Sequence, residues 1–217
     1  MQPSPEAMIY QGQFGEFTIT EHDRREVKIY RGGLAVAALS FALGTLLVYT
    51  QTPSPLLWQV VTVLFALFTA GLGVSLWFIH IYLRLLHRAL QVFWGIGTVA
   101  AGAIALTQPE PLPLALYHHP ILILGVGFTF AALTGIYFKE AFCFNRLETK
   151  VLTPLVPILL LGHLFGGLPV GVEQGLLITW ALCFLVFSGR KVVQAIPPDI
   201  GDKSVFAELQ RQAQATG

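Results

Sequence analysis

Charge is what this sequence has least of. Only 12% of its 217 residues are Asp, Glu, Lys or Arg, about half of the roughly 25% usual in soluble domains, while 54% are hydrophobic. So little charge excludes a disordered chain, a basic nucleic-acid-binding surface and a water-soluble fold. Cysteine is scarce too. Cys143 and Cys183 form no CxxC pair and both are expected on the reducing side of the membrane, which argues against a disulfide framework. Enzyme signatures are missing: Gly73-Val74-Ser75-Leu76 begins like an intramembrane serine-protease motif but lacks its closing glycine. No enzymatic activity is expected.

What the chain does have is long uncharged runs. No charged residue stands between Arg31 and Arg84, only Glu110 between Ala89 and Phe138, and only Glu173 between Val151 and Gly189. A helix needs roughly 20 mostly apolar residues to cross a hydrocarbon core, so each run holds two spans. Proline-rich or glycine-rich turns divide them: Gln51–Pro55, Gln108–Pro113 and Gly166–Pro169. The expected architecture is all-α, a polytopic six-transmembrane-helix bundle built of three hairpins, with spans at about 32–50, 56–82, 89–107, 120–138, 151–168 and 174–188. Residues 1–31 precede this membrane domain (32–188), and 189–217 form a tail.

The six-span scheme places all thirteen Lys and Arg residues on one side, together with ten of the twelve acids. Basic residues concentrate in cytoplasmic loops, so both termini are expected to be cytoplasmic. No apolar leader segment is visible in residues 1–31, and the first span is expected to act as the insertion signal. Thr20 with Asp23 three positions on reads as a helix start. Mid-span Trp180 needs a partner for its indole N–H. Small residues at helical spacing, including Gly33, Gly97, Ala101 and Gly135, read as helix-packing positions.

No Asp, Glu, Lys or Arg lies at mid-depth, which disfavours ion-coupled transport. Histidines are the titratable groups left near the spans. His80 and His87, seven apart, would share a helix face beside Arg84 and Arg88, giving a weak cofactor-binding (pigment) candidate or a contact for anionic headgroups. On the other side His118, His119, His163, Glu110 and Glu173 offer a weak metal-ligand set, without HxxxH or HExxH spacing. Any cofactor remains unknown.

Three stretches stand out together: Phe138–Glu148, Leu152–Pro157 and Gly189–Lys203. With Phe17–Thr20 and Tyr30-Arg31-Gly32, they resemble a family of uncharacterised integral membrane proteins of cyanobacteria and chloroplasts. The resemblance implies a thylakoid or cytoplasmic membrane, with termini cytoplasmic or stromal, and supplies no catalytic residues. The polar loops then favour a non-enzymatic accessory or assembly factor of a photosynthetic membrane complex. It would sit in the lipid bilayer and dock a membrane-protein partner on the cytoplasmic side through Arg84, Arg88, Lys139, Arg146 and Lys150, with no nucleic acid involved. A small-solute or ion permease is the alternative, favoured by the similarity of Thr50–Leu56 to Thr107–Leu112 as a trace of duplicated hairpins. A pigment or metal binder comes third.

Overall fold

The computed structural model describes residues 9–215; the first eight residues of the expected N-terminal segment lie outside it. The chain is an all-α polytopic membrane protein. Among the described residues six helices are long and apolar enough to cross a membrane: α1 (Glu21–Thr50), α2 (Pro55–Phe78), α3 (Arg84–Thr107), α5 (Ile123–Phe144, extended by a 3₁₀ turn at Pro120–Leu122), α6 (Leu147–Leu164) and α7 (Val170–Val193). A short helix, α4 (Leu112–His118), lies within the proline-rich loop between α3 and α5. Two helices follow the last span, α8 (Pro197–Ile200) and α9 (Lys203–Ala215).

The six spanning helices close a ring in chain order. α1 packs on α2, α2 on α3, α3 on α5, α5 on α6, α6 on α7, and α7 returns to α1. Close approaches rest on small residues. A Cβ on Gly33 of α1 would lie 2.6 Å from the Gly71 carbonyl oxygen of α2, and a Cβ on Gly71 would stand equally close to the Gly33 oxygen. A Cβ on Gly97 would run into Thr129 of α5. Large apolar side chains such as Leu39, Val63, Val99, Leu106 and Leu182 remain exposed around the ring, where lipid rather than water would meet them.

Helix ends differ from the expected spans in ways that local chemistry explains. α1 begins at Glu21, eleven residues before the span, because Thr20 and Asp23 form a full capping box. α2 stops at Phe78 instead of continuing to Tyr82. In the break, Ile79 and Ile81 are buried, His80 turns to Glu26 at 3.3 Å, and the Tyr82 hydroxyl accepts the Asp202 N–H at 2.5 Å. These tertiary contacts outweigh about one further helical turn. α5 ends on Asn145 in the left-handed region, φ 52, a conformation Asn tolerates better than most residues. α6 keeps Pro154 and Pro157 inside it.

Before α1 stands a small β-hairpin that hydropathy did not foretell: β1 (Ile9–Gly12) pairs antiparallel with β2 (Gly15–Thr18), Gly12 facing Gly15. Its two-residue turn relies on glycine, since Gly15 has φ +135 and a Cβ on Gly12 would collide with Asp202 and Ser204. The Gln13 N–H donates to Asp202 Oδ2 at 2.6 Å and the Phe14 N–H to Ser204 Oγ at 3.0 Å. Ile19, Val27 and Ile200 form a small core beneath, packed by Tyr10, Phe17 and Ile196. Phe206 of α9 packs against Tyr82 with its ring tilted, centroids 4.9 Å apart. Hairpin and tail thus cover one end of the bundle together.

Candidate functional site

The bundle divides along its axis into three levels, each set by residue chemistry. At the end carrying the Lys and Arg residues lies a buried ionic node. Lys191 of α7 is fully buried, 2.7 Å from Glu140 Oε2 of α5, and also donates to Asp199 of α8. Asp199 accepts in addition from Arg31 of α1, Nε at 2.9 Å and Nη2 at 2.6 Å. Arg31 spends its remaining N–H groups on the carbonyls of Gln194 (2.6 Å) and Ala195 (2.9 Å), carbonyls that the end of α7 leaves without helical partners. Glu140 also receives Tyr30 Oη at 3.3 Å and Lys139 Nζ at 2.9 Å. Lys191 Nζ lies 4.2 Å from the Phe144 ring centroid, close enough for a cation–π contact. Three bases (Arg31, Lys139 and Lys191) meet two acids (Glu140 and Asp199), so every buried charge here has an opposite partner, and together they tie α1, α5, α7 and α8.

The middle level is aromatic. Trp180 packs on Phe41 at 4.5 Å and Phe130 at 5.2 Å, and Phe68 closes on both phenylalanines. The Trp180 indole donates to the Tyr137 hydroxyl at 3.2 Å, which supplies the partner a mid-span tryptophan requires. Four helices of the ring, α1, α2, α5 and α7, therefore meet in one plug.

Above the plug, toward the end opposite the Lys and Arg residues, a cavity of about 550 Å³ runs between the helices, lined mainly by apolar side chains. Trp180, Phe68 and Phe130 form its floor and Tyr49, Trp58 and Tyr117 its upper wall. Its polar groups gather near the top. His163 Nδ1 lies 2.8 Å from Glu173 Oε1, bridging α6 and α7. His118 Nδ1 lies 2.8 Å from Glu110 Oε2. The Tyr117 ring stacks on His163, centroids 5.4 Å apart, and meets His118 edge-on. In both pairs the carboxylate holds Nδ1 and fixes the ring, so Nε2 is the nitrogen left to meet a ligand.

The family model described as "Uncharacterized integral membrane protein (DUF2301)" matches residues 74–208. The chain belongs to this family. No curated protein and no solved structure matches it. The DUF2301 stretch runs from the end of α2 into α9, and so includes Glu140, Lys191, Asp199 and both His–Glu pairs. Arg31 and Phe41 on α1, with Phe68 on α2, lie before it.

The candidate site residues separate in this DUF2301 protein. Of the outer set, His118, His163 and Glu173 line the cavity and Glu110 supports His118, while His119 is exposed and outside the lining. They do not gather as one metal centre: among the described residues the one group of three ligating side chains within 4.8 Å of one another is Asp23, Glu26 and His80. Asp23 there is already engaged by Thr20 and by Lys203 Nζ at 2.8 Å. His80 and His87 do not share a helix face, because the break after Phe78 separates them. Burial pushes the His80 imidazole down, opposed by Glu26. His87 Nε2 instead meets the Leu76 carbonyl at 2.6 Å, joined by Gln91 Nε2 at 3.3 Å, and so serves the C-terminal end of α2.

The expected docking cations divide likewise. Arg84 and Arg88 flank a surface recess with Trp77, and Lys150 is exposed. Lys139 turns to Glu140, and Arg146 donates to Gln194 Oε1. Ionisable side chains that helix ends enclose within a membrane bundle pair with one another or with polar groups. Sequence reading missed Lys191, Asp199 and Glu140 because each looks like an ordinary loop or helix-end charge. It missed the cavity because lining residues from six elements have no linear signature.

Proposed function

We propose that this protein is a non-enzymatic membrane carrier that binds a small, predominantly apolar molecule inside its helix ring. The observation that carries this reading is the cavity of about 550 Å³, extending from the end opposite the basic residues to the aromatic plug. Its volume and its mostly apolar lining with a few convergent polar groups suit a small-molecule site. The plug and the ionic node beneath it support a carrier held closed on the basic side. Release there would require the Phe41–Trp180–Phe130 contacts to part. This develops the permease reading of the sequence. The basic side is cytoplasmic or stromal on the positive-inside rule, and a thylakoid or cytoplasmic membrane of a photosynthetic organism fits the family resemblance.

Photolabelling with an uncharged apolar diazirine tests the reading. Peptides bearing Val48, Leu64 and Gly127 should be labelled, and the Gly44→Leu variant should lose that labelling. Gly44 lines the cavity, and a Cβ there meets only Val61 and Leu64 at 3.9 Å, so the larger side chain fills space without a backbone clash. Labelling confined to lipid-facing residues such as Leu39 and Val99 would contradict it.

A second reading is docking as an accessory or assembly factor of a membrane complex through the basic face. Arg84 and Arg88 support it, since neither has an acidic partner among the described residues and both flank Trp77, itself 64% exposed. Arg84→Glu with Arg88→Glu should then abolish recovery of a co-purifying partner. Unchanged recovery would remove this reading.

A further inference from the structure

We infer that the molecule held in the cavity carries a positively charged head, so that the site selects lipophilic amines and related cations over neutral or anionic molecules of the same shape. The inference rests on the cavity reading above and adds the charge of the ligand to it. Three independent features converge. First, the bases of the chain are confined to one end: the thirteen Lys and Arg residues sit on the far side of the plug, none of them lines the cavity, and Glu110 and Glu173 are the acids at the opposite end. Second, besides the phenols of Tyr49 and Tyr117, the ionisable side chains lining the cavity are Glu173, His163 and His118; His163 is bonded to Glu173 and His118 to Glu110, while exposed His119 stays outside the lining. With both carboxylates ionised, that set cannot carry net positive charge whichever protonation state the imidazoles hold. A recess lined by one sign of charge between low-dielectric walls concentrates its field and draws in the opposite sign.

Third, the apolar wall is aromatic where a cation would pass. Tyr117 and Trp58 stand at the upper level and Phe41, Phe68, Phe130 and Trp180 at the floor. Faces of such rings attract ammonium groups, most strongly where water is excluded. An aliphatic wall of equal area would accept the ligand's body and give its charge nothing. The Glu173 carboxylate is 16% exposed and His163 19% exposed, so the head would meet a half-desolvated acid, where Coulomb attraction is less screened than at a free surface. His118 and Glu110 are more exposed, at 50% and 38%, and stand further toward solvent as an approach pair.

The test is a matched set of probes with one apolar body: 6-phenylhexylamine, 6-phenylhexanol and 6-phenylhexanoate. Each is titrated calorimetrically into the full chain in neutral-lipid nanodiscs, with empty discs subtracted. The amine should bind at least about tenfold more tightly than the carboxylate, with the alcohol between them. Glu173→Gln should weaken the amine severalfold and leave the alcohol unchanged. Glu110→Gln, on an exposed side chain, repeats the comparison should the Glu173 variant fail to assemble. Equal affinities for all three probes, a preference for the carboxylate, or an amine affinity indifferent to both substitutions overturns the cationic assignment while the cavity reading stands. Absence of saturable binding by all three overturns both.

Discussion

Asp199→Ala removes the acceptor on which the ionic node turns, and its cost can be worked from the contacts. The carboxylate accepts two N–H groups of Arg31, at 2.9 and 2.6 Å, the Lys191 ammonium, and Gln194 Nε2 at 3.2 Å. Charged hydrogen bonds contribute about 1.5–3 kcal/mol each, but their sum overstates the loss. Arg31 keeps the Gln194 and Ala195 carbonyls, and Lys191 keeps Glu140. What remains is a guanidinium 9% exposed with no carboxylate partner and a fully buried ammonium that shares Glu140 with Lys139. Breaking a buried pair from one side typically costs about 3–5 kcal/mol, and that is the destabilisation expected here. The comparison is Lys203→Ala, which removes a pair whose side chains are 32% and 12% exposed and should cost no more than about 1 kcal/mol. Equilibrium unfolding in mixed micelles of increasing SDS fraction measures both. Proteolysis at the α8–α9 segment should accelerate in the Asp199 variant, since α8 loses its tie to α1 and α7. A loss below about 1 kcal/mol, or one no larger than that of Lys203→Ala, would refute the claim that buried ion pairs secure this end of the bundle.

Helix approach gives a sharper contrast between two glycines on one helix. Gly97→Ala should destabilise by about 1–3 kcal/mol through overpacking, because its Cβ collides with Thr129 of α5. Gly102→Ala, where nothing lies within 4 Å, should be neutral or gain up to about 1 kcal/mol of helix propensity; the same micelle titration reads both, and equal effects would contradict the packing. The hairpin–tail clasp should be acid-sensitive. The Ser204 hydroxyl and then the Gln13 amide hold the Asp202 carboxyl below its ordinary value of 3.8. A lowered folded value means the contribution is complete above the unfolded value and is lost as pH falls through the folded one. Exchange protection of the Gln13 and Phe14 amides, corrected for intrinsic rates, should therefore persist at neutral pH and decline only as pH falls below the ordinary carboxyl value of 3.8; protection unchanged to about pH 2 would contradict the clasp.

Much of the architecture was legible because bilayer physics leaves strong marks. Charge-free runs located six spans, and the one-sided Lys and Arg residues agreed with their number. Thr20 and Asp23 announced the start of α1, Trp180 found the partner its depth demanded, and Gly33, Gly97 and Gly135 proved to be positions of close approach. What stayed hidden depends on contacts between distant residues. The hairpin at Ile9–Thr18 carries an alternating pattern with paired glycines, a signal present but short, and it is held by Asp202 and Ser204 nearly two hundred residues away. The end of α2 at Phe78 lies in an apolar run where only contacts with Glu26, Asp202 and Phe206 decide the break. Glu173 and His163 were legible as polar groups near one boundary. That they meet follows from the tight turn between α6 and α7, and the aromatic floor below them from ring closure between α7 and α1.

If the cavity is a ligand site, the purified protein should retain a small molecule in it. The full chain, extracted from its native membrane in a neutral detergent, is examined by native mass spectrometry beside the Gly44→Leu and Gly127→Leu variants. A Cβ on Gly127 meets only Ile123 at 3.6 Å, so both substitutions fill the cavity without forcing the helices apart. The parent protein should carry one bound small molecule per chain, and both variants should lose it at unchanged stability. A parent protein free of bound small molecules, or one retaining the same molecule in both filled variants, would contradict the ligand site.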